Sequence, residues 1–241
     1  MRLDRYLAEA GLGTRKEVKE LLKKGQVTVN GLVVKEAKRQ VIEDDQVAYS
    51  GESILYQEFY YLMLHKPAGV VSATSDTQKT VIDLIPNAPK GLFPVGRLDK
   101  DTEGLLLLTN DGQLAHDLLA PKKHVAKRYY AEIKGLVTEE DQAAFQAGIH
   151  LKEGLLQPAN LTILSTDQVA GTSRVEIEIQ EGKFHQIKRM FHAVAKEVTY
   201  LKRLTMGPLS LDPSLAKGAY RSLTAAETAQ LLALKKDDPA D

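Results

Sequence analysis

The chain has 241 residues, of which 43% are hydrophobic and 27% are charged, and it contains no cysteine. These values are typical of a water-soluble globular protein with one large domain or two smaller ones. The lack of cysteine excludes disulfide bonds, thiol nucleophiles and cysteine-ligated zinc. The formal net charge is zero, but the cations are concentrated: residues 1–39 carry ten Lys or Arg against five Asp or Glu, and residues 183–203 carry six against one.

The residue pattern argues against a membrane protein and against a metal-dependent protein. The longest purely apolar run, Leu105 to Leu108, is far shorter than the ~20 residues of a membrane-spanning helix, so we expect no membrane association and a cytoplasmic location. The six histidines show neither the HxH nor the HExxH spacing of metal sites, so we expect no metal. Each basic segment has two interpretations, a solvated surface or a site for a polyanion.

Residues 1–52 predict a small module of two helices and a hairpin. Apolar residues at helical spacing define the first helix: Leu3, Tyr6, Leu7 and Ala10. The second helix begins at Thr14, because Glu17 three residues later can complete a capping box. Its basic residues, four apart, share one face: Arg15, Lys19 and Lys23. Asn30 and Gly31 tolerate the positive φ of a two-residue turn, so the apolar runs on either side predict a hairpin.

Residues 53–59 predict a linker, and residues 60–241 predict a second domain of short strands and helices. The strands are expected at 61–64, 92–95, 105–108, 129–133 and 175–179. The helices are expected at 113–119, 139–147, 187–195 and 225–234. Thr224 and Glu227 can form a capping box on the last of them. Regular strand–helix–strand units are too few for a doubly wound parallel fold, so the predicted fold class is α+β with a mixed, largely antiparallel sheet.

The segment from Gly96 to Gly104 reads G-R-L-D-K-D-T-E-G and precedes the apolar run 105–108. A charged turn between two strands can hold a carboxylate, here that of Asp99, at the edge of a sheet with a rigid support on each side. Most aspartates in loops only form turns, and composition alone favours that interpretation for Asp99 and Asp101.

The run from Gly96 to Gly112, GRLDKDTEGLLLLTNDG, resembles the central motif of the RsuA-type pseudouridine synthases. Two further runs agree in chain order, KRYYAEIKG from Lys127 and GKFHQIKRM from Gly182, and residues 2–50 resemble the S4 RNA-binding domain. The resemblance implies a fold of the pseudouridine synthase type behind an S4-like domain, in which the basic face of the second helix grips structured RNA. It also implies that no cofactor is needed, since the isomerisation oxidises nothing and imports no group.

The resemblance also implies roles for single residues. Asp99 would be catalytic, and Arg97 would hold the RNA near the displaced target base. Tyr129 would pack on the uracil ring, although a tyrosine in a strand is by itself an ordinary cross-strand packing residue. Lys188 would form an ion pair with Asp99, although by itself it fits a surface lysine equally well.

Helical geometry tests the role of Lys188 independently of the resemblance. The buried stripe of its helix is formed by residues at helical spacing: Ile187, Met190, Phe191 and Val194. At ~100° per residue, Lys188 lies at the border of this stripe, from which its side chain can reach inward to a carboxylate. Arg189 and Lys196 lie on the far side and are expected to contact phosphates. His185 is expected to be a structural hydrogen-bonding residue that orients the turn formed by Gln186–Lys188.

The substrate implied by the resemblance is 16S ribosomal RNA, with uridine 516 as the usual target, because segments 123–135 and 205–227 are more similar to the small-subunit branch. The expected partner is this RNA or a small-subunit assembly intermediate, bound by a monomer. Two alternatives stay open: the same chemistry on 23S RNA, and a non-catalytic RNA-binding factor in ribosome assembly. A hydrolase that uses Asp99 and Asp101 is disfavoured, because glycan clefts are usually rich in tryptophan and this chain has none.

Overall fold

The computed structural model describes residues 1–42, 44–54 and 56–234. Leu55 of the expected linker and the last seven residues of the expected second domain therefore lie outside the described residues. The chain divides into two compact units, Met1–Glu58 and Phe59–Asp241, here called the N-terminal unit and the C-terminal unit. Each unit has its own buried apolar core.

The N-terminal unit contains two helices and a four-stranded antiparallel sheet with the strand order β2-β1-β3-β4. Its elements are α1 (Leu3–Glu9), α2 (Arg15–Lys23), β1 (Val27–Val29), β2 (Leu32–Val33), β3 (Val47–Tyr49) and β4 (Glu52–Ser53). The capping box of Thr14 and Glu17 and the hairpin around Asn30 and Gly31 are both confirmed. The local signals were sufficient here because each acts over only three or four residues.

The expected linker at 53–59 is partly wrong. Ser53 pairs with Ala48 in the antiparallel β3–β4 ladder, and Ile54 packs against the core of the N-terminal unit. The Ile54 carbonyl also accepts a hydrogen bond from the Tyr6 hydroxyl at 2.8 Å. Polar composition predicted a linker, but a short edge strand has the same composition, and only its pairing with β3 distinguishes the two.

The C-terminal unit is a mixed sheet flanked by helices, which confirms the predicted fold class. Its first elements are β5 (Tyr61–Lys66), β6 (Phe93–Pro94), β7 (Glu103–Thr109), α3 (Gly112–Leu119), β8 (Lys127–Lys134), α4 (Glu139–Ala147), β9 (His150–Leu151) and β10 (Gly154–Leu155). The remaining elements are β11 (Asn160–Asp167), β12 (Thr172–Ile179), α5 (Gln186–Ala193), β13 (Glu197–Met206), β14 (Leu209–Ser210), β15 (Tyr220–Ser222) and α6 (Ala225–Ala233).

The main sheet has the strand order β11-β12-β8-β13-β7-β5-β15, and of these neighbours only β13 and β7 are parallel. Val175, Ile177 and Ile179 of β12 are buried while Glu176 and Glu178 are half-buried, as the alternation predicted. One core cluster lies on each face of the sheet: Leu106 and its neighbours in β7 alternate between the two.

The parallel pair β7–β13 determines where the loop that carries Asp99 and helix α5 lie. The loop before β7 carries Asp99, and α5 lies before β13. Because the strands are parallel neighbours, the segments that enter them lie at the same end of the sheet. The pair is also close: Gly104 has φ +106°, and a Cβ there would overlap the backbone of Arg203. No helix within the described ranges is long and apolar enough to cross a membrane.

Candidate active site

The backbone around Asp99 is fixed by hydrogen bonds from an earlier part of the chain. The Ser72 hydroxyl donates to the Leu98 carbonyl at 2.9 Å and accepts from the Leu98 N–H at 3.1 Å. The Gly69 N–H donates to the Lys100 carbonyl at 2.8 Å. Leu98 itself is buried in the core. The carboxylate of Asp99 is therefore carried by a turn whose backbone has little freedom.

Lys66, at the end of β5, binds the backbone of the same turn. Its fully buried ammonium group donates to the carbonyl oxygens of three turn residues, at distances of 2.8–3.3 Å: Asp99, Lys100 and Thr102. It also donates to the Pro67 carbonyl at 3.1 Å. Burial lowers the pKa of Lys66 to about 8, and the nearby carboxylates of Asp101 and Asp99 act in the opposite direction. An ammonium group in this position joins the turn to the sheet.

The carboxylate of Asp99 lies between two side chains of the α5 segment. Lys188 Nζ is 2.9 Å from Asp99 Oδ2, which is the ion pair that the resemblance implied. Lys188 Nζ is also 2.6 Å from Asp101 Oδ1. Burial lowers the pKa of Lys188, but the hydrogen bonds to Asp101 and Asp99 outweigh it and the net shift is upward. His185 Nε2 lies 3.5 Å from Asp99 Oδ1 on the other side.

These groups line an open pocket. Tyr129, Ile179 and Leu201 come from three neighbouring strands and form its apolar wall. Arg97 is exposed and lines the pocket. The pocket therefore combines an aromatic ring, a carboxylate and cations, and all four residues expected at the reacting base lie around it: Arg97, Asp99, Tyr129 and Lys188.

Sequence reasoning missed several residues of this site. Thr102 lines the pocket, and its buried hydroxyl has no hydrogen-bond partner among the described residues. Lys66 could have been found from a charged residue in an otherwise apolar strand. Ser72 gave no signal, because its partner Leu98 is 26 residues away. His185 has a left-handed backbone, φ 48°, makes no side-chain cap bond to α5, and lies against Asp99, a position that the sequence did not predict.

Both cations that were expected to contact phosphates, Arg189 and Lys196, have acidic partners in the fold, which argues against those contacts. Arg189 Nη1 is 2.5 Å from Glu153 Oε1 in the turn between β9 and β10. Lys196 Nζ is 2.7 Å from Asp141 Oδ2, and the two side chains are only 14% and 9% exposed. The helical wheel placed Arg189 on the polar side of α5, but Lys196 lies beyond the end of the helix at Ala193. The wheel could not identify the acidic partners, which are 36 and 55 residues away.

The cations expected on α2 have the predicted arrangement. Arg15, Lys19 and Lys23 are exposed, and Lys23 pairs with Glu20 at 2.8 Å. Because they belong to the N-terminal unit, they form a separate basic surface and not part of the pocket. No group of three or more His, Asp or Glu suited to a metal ion occurs in the described part of the chain.

The chain is similar to known protein families and to individual known proteins. A model of the RNA pseudouridylate synthase family matches residues 60–193, and a model of the S4 domain matches residues 1–47. An uncharacterised RNA pseudouridine synthase of Bacillus subtilis is 50% identical over 234 residues, 94% of this chain and 96% of that protein. The ribosomal large subunit pseudouridine synthase B of the same organism is 42% identical, over 97% of this chain and 96% of that protein.

Two further matches cover nearly the whole chain. The ribosomal small subunit pseudouridine synthase A of Vibrio cholerae is 38% identical, over 96% of this chain and 99% of that protein. A solved structure, the crystal structure of a pseudouridylate synthase, has a TM-score of 0.67 and 36% identity, over 96% of this chain and 99% of that one. Both likenesses extend through the N-terminal unit and the C-terminal unit.

Proposed function

The chain belongs to the RNA pseudouridylate synthase family and is a pseudouridine synthase, and from this premise we propose that it isomerises one uridine of ribosomal RNA with Asp99 as the catalytic group. The observation that carries the proposal is the carboxylate of Asp99, the only one among the described residues that line the pocket, which is fixed through its backbone by Lys66 and through its side chain by Lys188.

The reaction breaks the bond from ribose C1′ to uracil N1, turns the base, and joins C1′ to C5. The proton on C5 leaves and N1 gains one, so the product has the composition of the substrate. The pocket supplies what this requires of a protein. Lys188 keeps the Asp99 carboxylate in place and balances its charge, and a preorganised cation of this kind stabilises charge without rearrangement during the reaction.

The target base must first leave its stack in the RNA, which costs a few kcal/mol. Stacking on an aromatic ring returns ~1–3 kcal/mol per base. Tyr129 is the aromatic residue of the pocket wall, and its ring is assigned to the uracil. Arg97, exposed beside the pocket and without an ion pair in the described ranges, is assigned to a phosphate of the displaced nucleotide.

The substrate we assign first is 16S RNA, with uridine 516 as the target, as the similarity of segments 123–135 and 205–227 to small-subunit enzymes suggests. The second candidate is 23S RNA, because the relative named a large-subunit synthase is 42% identical and the small-subunit relative 38%. Arg15, Lys19 and Lys23 are assigned to RNA phosphates in either case, and a ribosomal substrate places the enzyme in the cytoplasm.

The test is tritium release from transcribed 16S and 23S RNA that carries 5-tritiated uridine, followed by sequencing for pseudouridine. We expect release from one RNA only, at a single position, and loss of pseudouridine at that position in a deletion strain. Release from 23S RNA alone would replace the 16S assignment. Binding without release from either RNA would contradict the catalytic proposal and support an assembly factor.

A further inference from the structure

Phe184 is the most exposed aromatic side chain of the described residues, with 78% of its surface accessible. A single exposed apolar residue is ordinary on a protein surface. The position of Phe184 is unusual, because it lies in the turn between β12 and α5. Three other residues of this turn, Gly182, Lys183 and His185, line the active-site pocket.

The Phe184 ring is held in a defined orientation. It stacks on the imidazole of His185, with ring centroids 3.8 Å apart and planes 19° apart. His185 in turn lies 3.5 Å from the Asp99 carboxylate. The two rings therefore form a short stack that begins beside the catalytic carboxylate and ends at the exposed surface.

The turn beneath the rings is also rigid. The Gln186 side chain is buried, accepts from the Lys183 N–H at 2.9 Å, and donates to Glu181 Oε1 at 2.9 Å. The Gln186 N–H donates to the Lys183 carbonyl at 3.1 Å. A ring presented on such a turn loses little conformational entropy when a planar ligand covers it.

We infer that Phe184, backed by His185, is the stacking platform for a nucleobase adjacent to the target uridine in the bound RNA. This inference rests on the proposed function, since it needs a uridine in the pocket to bring its neighbour to the ring. Aromatic faces stack on any base, and cations beside them hold the phosphates on either side. Arg97, exposed beside the pocket, supplies such a cation.

The test is a double-mutant cycle between the protein and an RNA hairpin that carries uridine 516 of 16S RNA. The protein changes are Phe184→Leu, which keeps an apolar side chain without a ring, and Phe184→Trp, which keeps a ring. The RNA change is an abasic nucleotide on the 5′ or the 3′ side of the target. Leu164→Ala on the edge strand β11 is the control for loss of exposed apolar surface.

We expect Phe184→Leu to raise the Kd for the intact hairpin about fivefold to a hundredfold, the range of one base–aromatic stack. The wild type should bind one of the two abasic hairpins more weakly than the intact hairpin, by a similar factor. Phe184→Leu should bind that abasic hairpin no more weakly than it binds the intact one. Phe184→Trp should restore tight binding, and Leu164→Ala should bind as the wild type does. In turnover assays the loss should appear in KM more than in kcat.

A Kd for Phe184→Leu within about twofold of the wild type, or penalties that multiply with both abasic hairpins, would overturn the inference. Either result would show that the exposed ring of Phe184 does not stack on a base next to the target uridine. The Kd cycle does not depend on turnover. A wild-type enzyme that binds the hairpin but releases no tritium from any ribosomal transcript would therefore refute the proposed function, while the Kd values of the cycle would still support or overturn the stacking platform.

Discussion

Lys188 contacts two carboxylates, and the contact with Asp99 is the one that concerns catalysis. We expect Lys188→Met to lower kcat by roughly 10²–10³-fold, the usual effect of removing one preorganised group that stabilises charge. Arg189→Met is the matched control one residue along α5. It should change kcat by less than about fivefold and leave the salt dependence of RNA binding unchanged, because Arg189 is occupied by Glu153. Equal losses of kcat in the two variants would contradict the assigned role of Lys188.

Lys66 is the residue whose removal should affect both stability and catalysis. Lys66→Met removes the ammonium donor from four carbonyl oxygens, of which those of Asp99 and Lys100 keep a backbone N–H donor, at a cost of about 1–3 kcal/mol for a buried unsatisfied group. We expect a lower free energy of unfolding in urea and a fall in kcat of about tenfold or more as the turn loosens. Lys100→Met, on the same turn but exposed, should change neither. An unaltered kcat in Lys66→Met would show that the turn does not need this anchor.

The pKa of Lys66, lowered by burial to about 8, also predicts a pH effect. The ammonium form, which donates three N–H groups, dominates below that pH, and the neutral amine with fewer donors dominates above it. In the wild type, kcat/KM should therefore fall as the pH rises through about 8. The profile of Lys66→Met should be low and flat between about pH 7 and 9. The same alkaline fall in both proteins would assign it to another group.

Individual residues of the site divide into two classes by how far the sequence could predict them. Lys188 was predictable, because its helix has a regular apolar stripe and the resemblance to known synthases supplied Asp99 as its partner. Lys66 and Ser72 were not, because they act on backbone atoms of a turn 26 to 36 residues away. A hydrogen bond to a distant carbonyl leaves no pattern in the donor's own segment.

At the scale of elements, the four helices expected in the C-terminal unit are all present within one or two residues. Each had a strong local signal, such as the capping box of Thr224 and Glu227. Strands β11 and β13 were missed because their polar and apolar residues do not alternate cleanly, and long-range pairing decides their structure. The pairing of β13 with β7, which brings α5 to Asp99, is also a long-range pairing that the local sequence does not show.

The connection between α4 and the start of β13 depends on one largely buried ion pair. Lys196 joins Asp141, which also caps α4 through the Thr138 N–H. Removing one partner of a buried pair costs up to about 3–5 kcal/mol, and we expect roughly 2–3 kcal/mol for Lys196→Met since the pair is not fully buried. Thermal unfolding should occur at a lower temperature, whereas the Kd for RNA should stay unchanged. A variant with normal stability and weaker RNA binding would restore the phosphate contact first expected for Lys196.

At the scale of the whole molecule, chemistry is assigned to the C-terminal unit, and the N-terminal unit is assigned RNA affinity alone. Neutralising the basic surface of α2 with Arg15→Gln, Lys19→Gln and Lys23→Gln should raise KM and lower the steepness of log Kd against log salt by up to about 2–3. The kcat at saturating RNA should fall much less, because these contacts position the RNA and do no chemistry. The control is Lys35→Gln with Lys38→Gln, also exposed in the N-terminal unit. An unchanged salt slope in the triple variant would mean that α2 does not anchor the RNA.

The central claim, that the carboxylate of Asp99 performs the isomerisation, is tested most directly by tritium release from 5-tritiated RNA with Asp99→Asn beside Asp101→Asn. Both changes keep the shape of the side chain and remove one charge next to Lys188. The account predicts that Asp99→Asn loses about 10⁴-fold or more in kcat while its Kd for RNA stays within about twofold, and that Asp101→Asn loses less than about tenfold. Substantial turnover by Asp99→Asn, or equal losses in the two variants, would contradict it.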